Sequence, residues 1–455
     1  VSVPVDSPTA AASTRAAGAR QGAAPSRRRP RIRWAWVAAL LLLAAALVVR
    51  LEYVGGTADR PLVHDALDYD AHAVSIAQGE GYSKTLAHGR PTAFRPPVYP
   101  YLLGGVYKVA GVERAGELER VHVARVAQAV IGVAVVGMIG LLAAQLWGAV
   151  AALVATALAT VYVPLVTMSG TVMSEPLFVV LMLACLVAAL RHRASPHRWR
   201  WALVAGVLAG LAILTRANAL ILLLPLALAV WDRPRRSWRA LGPPVALVVM
   251  AVLVVTPWTI RNAVTLHAFV PVSTQLGSAL AGTYNDQART DPRHPGSWRS
   301  LRHVPEYADL YGRIRQIPEA DLERALRRRS VHYAAHHPAY VAQVAFWTTV
   351  RGLELDGRDW ARHTASTVSI DTRWADRGVL CFWVFAVLAL AGAATRLARR
   401  PPAFVWAFPA LMYLSVVFLV IETPRYRTPM DPFIVLLAAL ALVAGGGRLA
   451  RLARR

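Results

Sequence analysis

Lysine and cysteine are nearly missing from this chain. Of its 50 basic residues only Lys84 and Lys108 are not arginine, and the two cysteines, Cys185 and Cys381, each sit inside an apolar block. A disulfide framework and a cysteine-based metal site are therefore excluded. Acidic residues are also scarce, 26 against 50 basic, for a net charge of +24. Such an excess on a soluble chain points to nucleic acid. Here the arginines gather in short clusters at the ends of apolar blocks, which is orientation signalling in a membrane and excludes nucleic-acid binding. No phosphate-binding glycine loop, nucleophile elbow, dinucleotide fingerprint or internal repeat is found.

What is abundant is apolar sequence. The 455 residues are 56% hydrophobic, the mean hydropathy is +0.41, and the apolar residues fall in long blocks. That predicts an all-α, polytopic membrane helix bundle. Residues 1–33, rich in Ala, Ser, Pro and Arg, read as a disordered basic cytosolic tail. The block from Trp34 to Val49 reads as an uncleaved first helix, because no small-residue cleavage pattern precedes Arg50 and Glu52. Further spans are expected at 121–146, 149–167, 172–190, 201–215, 218–231, 240–258, 378–395, 402–421 and 432–446, which makes about ten transmembrane helices. Residues 34–446 then form one transmembrane module, with a basic cytosolic tail at 447–455. Threading the spans with both termini inside puts Arg191–Arg200, Asp232–Arg236, Arg396–Arg400 and Arg448–Arg455 in the cytosol, as the positive-inside rule requires.

The outer face then collects nearly all the carboxylates. It comprises the first external loop at 52–120, the large external loop at 259–376 and the short stretch Glu422–Asp431. External interfacial helices are expected in the first and fourth outer loops, among them 319–336 and 339–352 separated by Pro338.

Chemistry is expected on that face. Asp65, Asp68 and Asp70 form a carboxylate cluster beside Tyr69. Asp65 also reads as a helix N-cap, with Asp68 completing a capping-box-like pair; a carboxylate so fixed still serves as a general base. Arg95-Pro96-Pro97 holds a guanidinium on a rigid backbone, followed by Tyr99, which suits a phosphate leaving group beside a base. Ser174 and Glu175 open a span from outside, explicable as cap and dipole partner. Arg216, near Asn218, is a charge flanked by apolar residues and is expected to line a cavity or meet a carboxylate. Arg261 with Asn262, and Glu422 with Arg425 and Tyr426, place arginines at the outer interface, where the aromatic belt does not explain them. Arg95, Arg261 and Arg425 are read as one anionic pocket. His332 and His336 have i, i+4 spacing, but no Glu lies between them and no third ligand is apparent, so solvated histidines are the expectation and a divalent metal is unsupported.

These elements, in this order, resemble the polytopic membrane glycosyltransferases of the GT-C class, particularly bacterial members related to protein O-mannosyltransferases and lipid A aminoarabinose transferases. The marks are Asp65 through Tyr69 and Ala73, Arg95 to Tyr99, Met173 to Pro176, Leu214-Thr215-Arg216, Pro257-Trp258 to Arg261-Asn262, and Arg425-Tyr426 with Pro429. The resemblance implies that Asp65 is the catalytic base and Arg95 a lipid-phosphate contact. Where a second acid usually follows the aspartate this chain has Ala66, so Asp68 or Asp70 stands open to share or take the role. It further implies a polyprenyl-phosphate sugar donor held in membrane lipid. The acceptor is a glycan, lipid or protein, recognised by the transmembrane module and the 259–376 stretch. The active site would lie on the extracytoplasmic side of the cytoplasmic (inner) membrane. The competing class is a transporter or flippase of lipid-linked or anionic substrates, which would carry ionisable residues deep in several spans.

Overall fold

Apolar runs of this length fold as helices, because lipid offers no other partner for their backbone amides. The computed structural model describes residues 29–57, 59–83, 90–231, 238–419 and 423–452. Among the described residues every named element is helical, and the one β-type contact is an isolated bridge between Ser83 and Pro91. In chain order, α1 (Arg29–Gly55) is followed by α2 (Asp65–Ala77) and α3 (Val98–Ala110), then by the long α4 (Glu117–Trp147). α5 (Ala149–Val161) and α6 (Val163–Thr167), the latter prolonged by a 3-10 turn to Gly170, make one span bent by 62°. The bend falls just before Pro164, whose ring disfavours a continuous helix. α7 (Glu175–Ala194), α8 (Arg198–Thr215), α9 (Leu223–Val230) and α10 (Gly242–Leu266) come next. A run of shorter helices follows: α11 (Gln275–Thr283), α12 (Asp286–Thr290), α13 (Ala308–Gly312), α14 (Glu319–His336), α15 (Pro338–Gly352) and α16 (Gly357–Ser366). The chain closes with α17 (Thr372–Ala393), α18 (Ala403–Leu414) and α19 (Asp431–Leu452).

Among the described residues six helices are long and apolar enough to cross a membrane, or up to seven with the bent pair counted once, and Ala217–Val230, Ala403–Leu414 and Asp431–Gly447 are apolar but shorter. These pieces coincide with the blocks read from the sequence, although length qualifies only seven as spans. The chain is an all-α, multi-pass membrane protein. α10 runs on through Pro257 to Leu266, so Arg261 and Asn262 lie on a helix. The 1–28 tail, the 232–237 connection, Glu422 and residues 453–455 lie outside the described residues.

Packing within lipid relies on close approach of small residues. A Cβ at Gly210 of α8 would come 2.6 Å from Val254 Cβ and 2.9 Å from the Ala251 carbonyl of α10. Gly104 of α3 lies equally close to α2, where a Cβ would stand 2.9 Å from the Ala73 carbonyl. Buried Arg125 of α4 ties three segments together, donating to the carbonyls of Gly170 at 3.0 Å, Thr57 at 2.5 Å and Arg60 at 2.8 Å. That knot joins the bent span to the turn after α1 and sets where α2 begins.

Candidate functional site

α2 reaches the site with one face already committed. Ala66, Tyr69, Asp70, Ala73 and Ala77 are its buried stripe, at helical spacing, against α3 and its neighbours. Within it Asp70 accepts from Tyr107 at 2.7 Å and from Arg120 at 2.9 and 2.8 Å, so this carboxylate pins α2 to α3 and α4 and points away from its two neighbours. Asp65 and Asp68 lie in the first turn of the helix. His64, in the N-cap position, has a positive φ of 48° and offers no side-chain cap. The capping role read for Asp65 is therefore not what the structure has: Asp65 is the first helical residue, and its carboxylate is engaged by arginines.

Arg95 grips Asp65 in a two-pronged contact, Nη2 to Oδ1 at 2.5 Å and Nη1 to Oδ2 at 3.2 Å, and reaches Asp68 Oδ2 at 2.8 Å. Arg425 binds the second oxygen of Asp65 at 2.6 Å and, through Nε, Glu175 Oε1 at 2.6 Å. Arg216 meets that same Glu175 oxygen at 2.5 Å. Three carboxylates and three guanidiniums thus form one continuous chain. Tyr426 lies under both Arg216 and Arg425, 5.5 and 5.0 Å from ring centre to guanidinium carbon, and Tyr69 lies 5.3 Å from that of Arg95. Tyr69 and Ser174 share a hydrogen bond of 3.0 Å, Tyr69 packs edge-on to Tyr99, and the Tyr99 hydroxyl donates to Gln128 at 3.1 Å. Ser174 makes no side-chain cap on α7; its hydroxyl serves Tyr69 instead.

The side chain of Asp65 is 28% exposed whereas those of Arg95 and Arg425 are 8% exposed, so the acid forms the outward edge of the cluster. Burial would raise its pKa, but Arg95 and Arg425 outweigh that and hold the carboxyl well below the usual carboxylate range. Burial likewise would lower Arg95, and Asp65, Tyr69 and Asp68 together raise it instead. Among the described residues, the buried Nε atoms of Arg95 and Arg216 have no hydrogen-bond partner.

Two expected members are elsewhere. Arg261 donates to the carbonyls of Thr92 at 2.7 Å and Tyr82 at 2.9 Å, with Trp258 and Tyr82 against its guanidinium. Asn262 donates to the Val270 carbonyl at 3.0 Å. Both sit on α10 and hold backbone, so the pocket expected of Arg95, Arg261 and Arg425 is built from Arg95, Arg425 and Arg216. Asn218 donates to Ser415 at 2.9 Å, on the far side of Arg216. Sequence reading missed Arg427, two residues past Arg425. It is buried, donating to Glu354 at 2.8 Å and to Asp431 at 3.0 Å, and it lines a small cavity of about 20 Å³ with Thr423, Trp374 and Ile370. The cavity adjoins the cluster across the Thr423–Arg427 turn. Its signal was the acid opening α19, an ionisable group at the edge of a span. His332 and His336 pack with ring centres 4.1 Å apart and planes tilted by 47°, and among the described residues no three His, Cys, Asp or Glu side chains group to hold a metal.

The family described as dolichyl-phosphate-mannose-protein mannosyltransferase matches residues 94–260, a stretch that takes in Arg95, Glu175 and Arg216. No curated protein matches the chain. Among solved structures, the archaeal oligosaccharyltransferase AglB from Archaeoglobus fulgidus, in complex with an inhibitory peptide and a dolichol-phosphate, is 15% identical over 92% of this chain and 51% of its own, with a TM-score of 0.53. The apo form of the Archaeoglobus fulgidus oligosaccharyltransferase gives 14% identity over 92% and 52%, with a TM-score of 0.53. ArnT from Cupriavidus metallidurans bound to undecaprenyl phosphate gives 17% over 89% and 76%, with a TM-score of 0.44. The chain spans about half the length of the archaeal structures it matches. At these identities the archaeal likeness is one of fold, and in fold the chain resembles the GT-C class of membrane glycosyltransferases, as its motifs do.

Proposed function

We propose that this protein transfers a sugar from a polyprenyl-phosphate carrier to an acceptor hydroxyl at the outer face of the cytoplasmic membrane, with Asp65 as the base. The observation that carries the reading is the Asp65 carboxylate held between Arg95 and Arg425. In the resting protein the charges of the cluster balance, and the acid is too weak a base to take a proton. A phosphodiester arriving among these guanidiniums adds one negative charge, for which the spare Nε donors of Arg95 and Arg216 are available. Hydrogen bonds and Coulomb attraction then divide between phosphate and Asp65, and the carboxylate becomes more basic as the donor binds.

The acceptor oxygen attacks the anomeric carbon from the face opposite the phosphate. A new C–O bond forms, the bond to the phosphate oxygen breaks, and its electron pair leaves with the prenyl phosphate. The acceptor's proton passes to Asp65, and the anomeric centre inverts. Arg95 and Arg425 stabilise the charge growing on the leaving group, the largest contribution such a site supplies. Asp68, bound to the same Arg95, is the nearer of the two other first-loop acids, and Asp70 braces α2. The large outer loop completes the acceptor side within the 34–446 module.

The test is transfer by the full chain in proteoliposomes, supplied with a panel of polyprenyl-phosphate [14C]sugars and envelope extract as acceptor. Labelled product and released prenyl phosphate are expected from the wild type. Asp65→Asn should lower the rate by about 10²–10⁴-fold with the fold intact. Wild-type rates from Asp65→Asn remove Asp65 from the mechanism, and no transfer with any sugar removes the reaction.

A further inference from the structure

Arg95 stands at the end of a short strap, Thr92 to Phe94, that the rest of the molecule grips from several sides. The Tyr82 hydroxyl donates to the carbonyl of Arg95 itself at 2.8 Å. Arg261 holds the carbonyl of Thr92 in the strap and that of Tyr82, as described above. On the opposite side stands Glu319, the first residue of α14. One of its oxygens accepts from the Thr92 hydroxyl at 2.5 Å; the other accepts from the Ala93 N–H at 3.0 Å and from the Thr274 hydroxyl at 2.6 Å. The Thr274 N–H donates back to the Ala93 carbonyl at 3.0 Å, so both backbone groups of Ala93 are fixed. Thr92 Oγ1 in turn accepts from the Phe94 N–H at 3.0 Å. Every residue from Thr92 to Arg95 thus has a backbone group held by a hydrogen bond, and Glu319 is the hub on the outer side.

We propose that Glu319 is a positioning residue for Arg95: from the outer segment it fixes the strap that presents the guanidinium to the donor phosphate. The proposal rests on the reading of the Asp65 cluster as a phosphate site. A guanidinium must lie within hydrogen-bond reach and in line to bind two oxygens at once, and an error of about 1 Å already costs such a site much of its effect. Glu319 touches neither Asp65 nor the place a phosphate would occupy. Its effect should appear only in the part of ligand binding that depends on phosphate.

That part is measured directly by comparing undecaprenyl phosphate with undecaprenol, its uncharged counterpart, for binding to the full chain in nanodiscs. The ratio of the two affinities isolates the phosphate. Wild type is expected to prefer the phosphate by tenfold or more, about 1.4 kcal/mol. Glu319→Gln should cut that preference by about tenfold while undecaprenol affinity and thermal midpoint stay at wild-type values. Thr92→Val, which removes one of the bonds to Glu319 and with it the acceptor of the Phe94 N–H, should act in the same direction by about threefold. An unchanged preference in both variants overturns the positioning role and leaves the phosphate site standing. No preference in the wild type overturns the site and the positioning role together. If Glu319→Gln loses undecaprenol binding as well, or fails to fold, the Thr92→Val ratio decides: a reduced preference supports the role and a wild-type one overturns it.

Discussion

Asp65 sits in an electrostatic state that a base can leave only when its partners are drawn elsewhere. Arg95 and Arg425 depress its pKa in the folded protein, so the folded state binds this proton less readily than the unfolded chain does. The stability Asp65 contributes is fully present above the unfolded carboxyl value of about 3.9 and is lost as pH falls from there through the lower folded value. Thermal midpoints in detergent should therefore fall below about pH 4 in the wild type, and Asp65→Asn should show a shallower acid limb. Equal acid limbs would mean that Asp65 is not ion-paired in the protein. Arg425 makes a second test. Its removal leaves Glu175 and Asp65 each short of a partner, and Arg425→Ala should destabilise by about 3–5 kcal/mol, the usual cost of breaking a buried pair. Arg425→Lys keeps the charge but not the fork that spans two carboxylates, and should retain most stability while lowering transfer at least tenfold, about 1.4 kcal/mol.

Elements explain what could be read in advance and what could not. The bounds of α14 and α15, 319–336 and 338–352, follow from local signals: acids in a first turn, a proline between, an apolar stripe after it. The apolar blocks were as legible, since each span is defined by its own sequence. The side-chain network was not. Whether the Asp65 carboxylate caps α2 or binds arginine depends on the Thr423–Arg427 turn. That Arg261 holds backbone instead of joining Arg95 depends on α10 continuing past Pro257 and on the strap folding over it. Glu175 and Arg216 each read as outer-edge residues; that they meet follows from α7 and α8 packing side by side. At this scale Gly210→Leu should force α8 from α10 and cost about 1–3 kcal/mol as overpacking, read as a lowered thermal midpoint. An unchanged midpoint would place that helix pair further apart than the structure has it.

For the whole molecule, the account depends on which way the bundle faces. Arg191 and Arg193 lie in the last turn of α7, whose first residue is Glu175 of the cluster, and the segment α11 to α16 meets the strap before Arg95 through Glu319. Cysteine labelling with a membrane-impermeant reagent tests this in intact cells. Tyr311→Cys, on the outer segment, should react from outside, and His197→Cys, in the turn before α8, only after permeabilisation; the reverse pattern would put the cluster in the cytosol. The two native thiols lie within spans, Cys185 buried and Cys381 partly so, which keeps the background low.

The central claim is that a prenyl phosphate takes the arginines from Asp65 and leaves it basic. Infrared difference spectra of the reconstituted protein, recorded as undecraprenyl phosphate is added near neutral pH with Asp65→Asn as the control, read that carboxyl group directly. A change in the carboxylate band that is present in the wild type and missing from the variant is the predicted result. Identical difference spectra from the two proteins would contradict it.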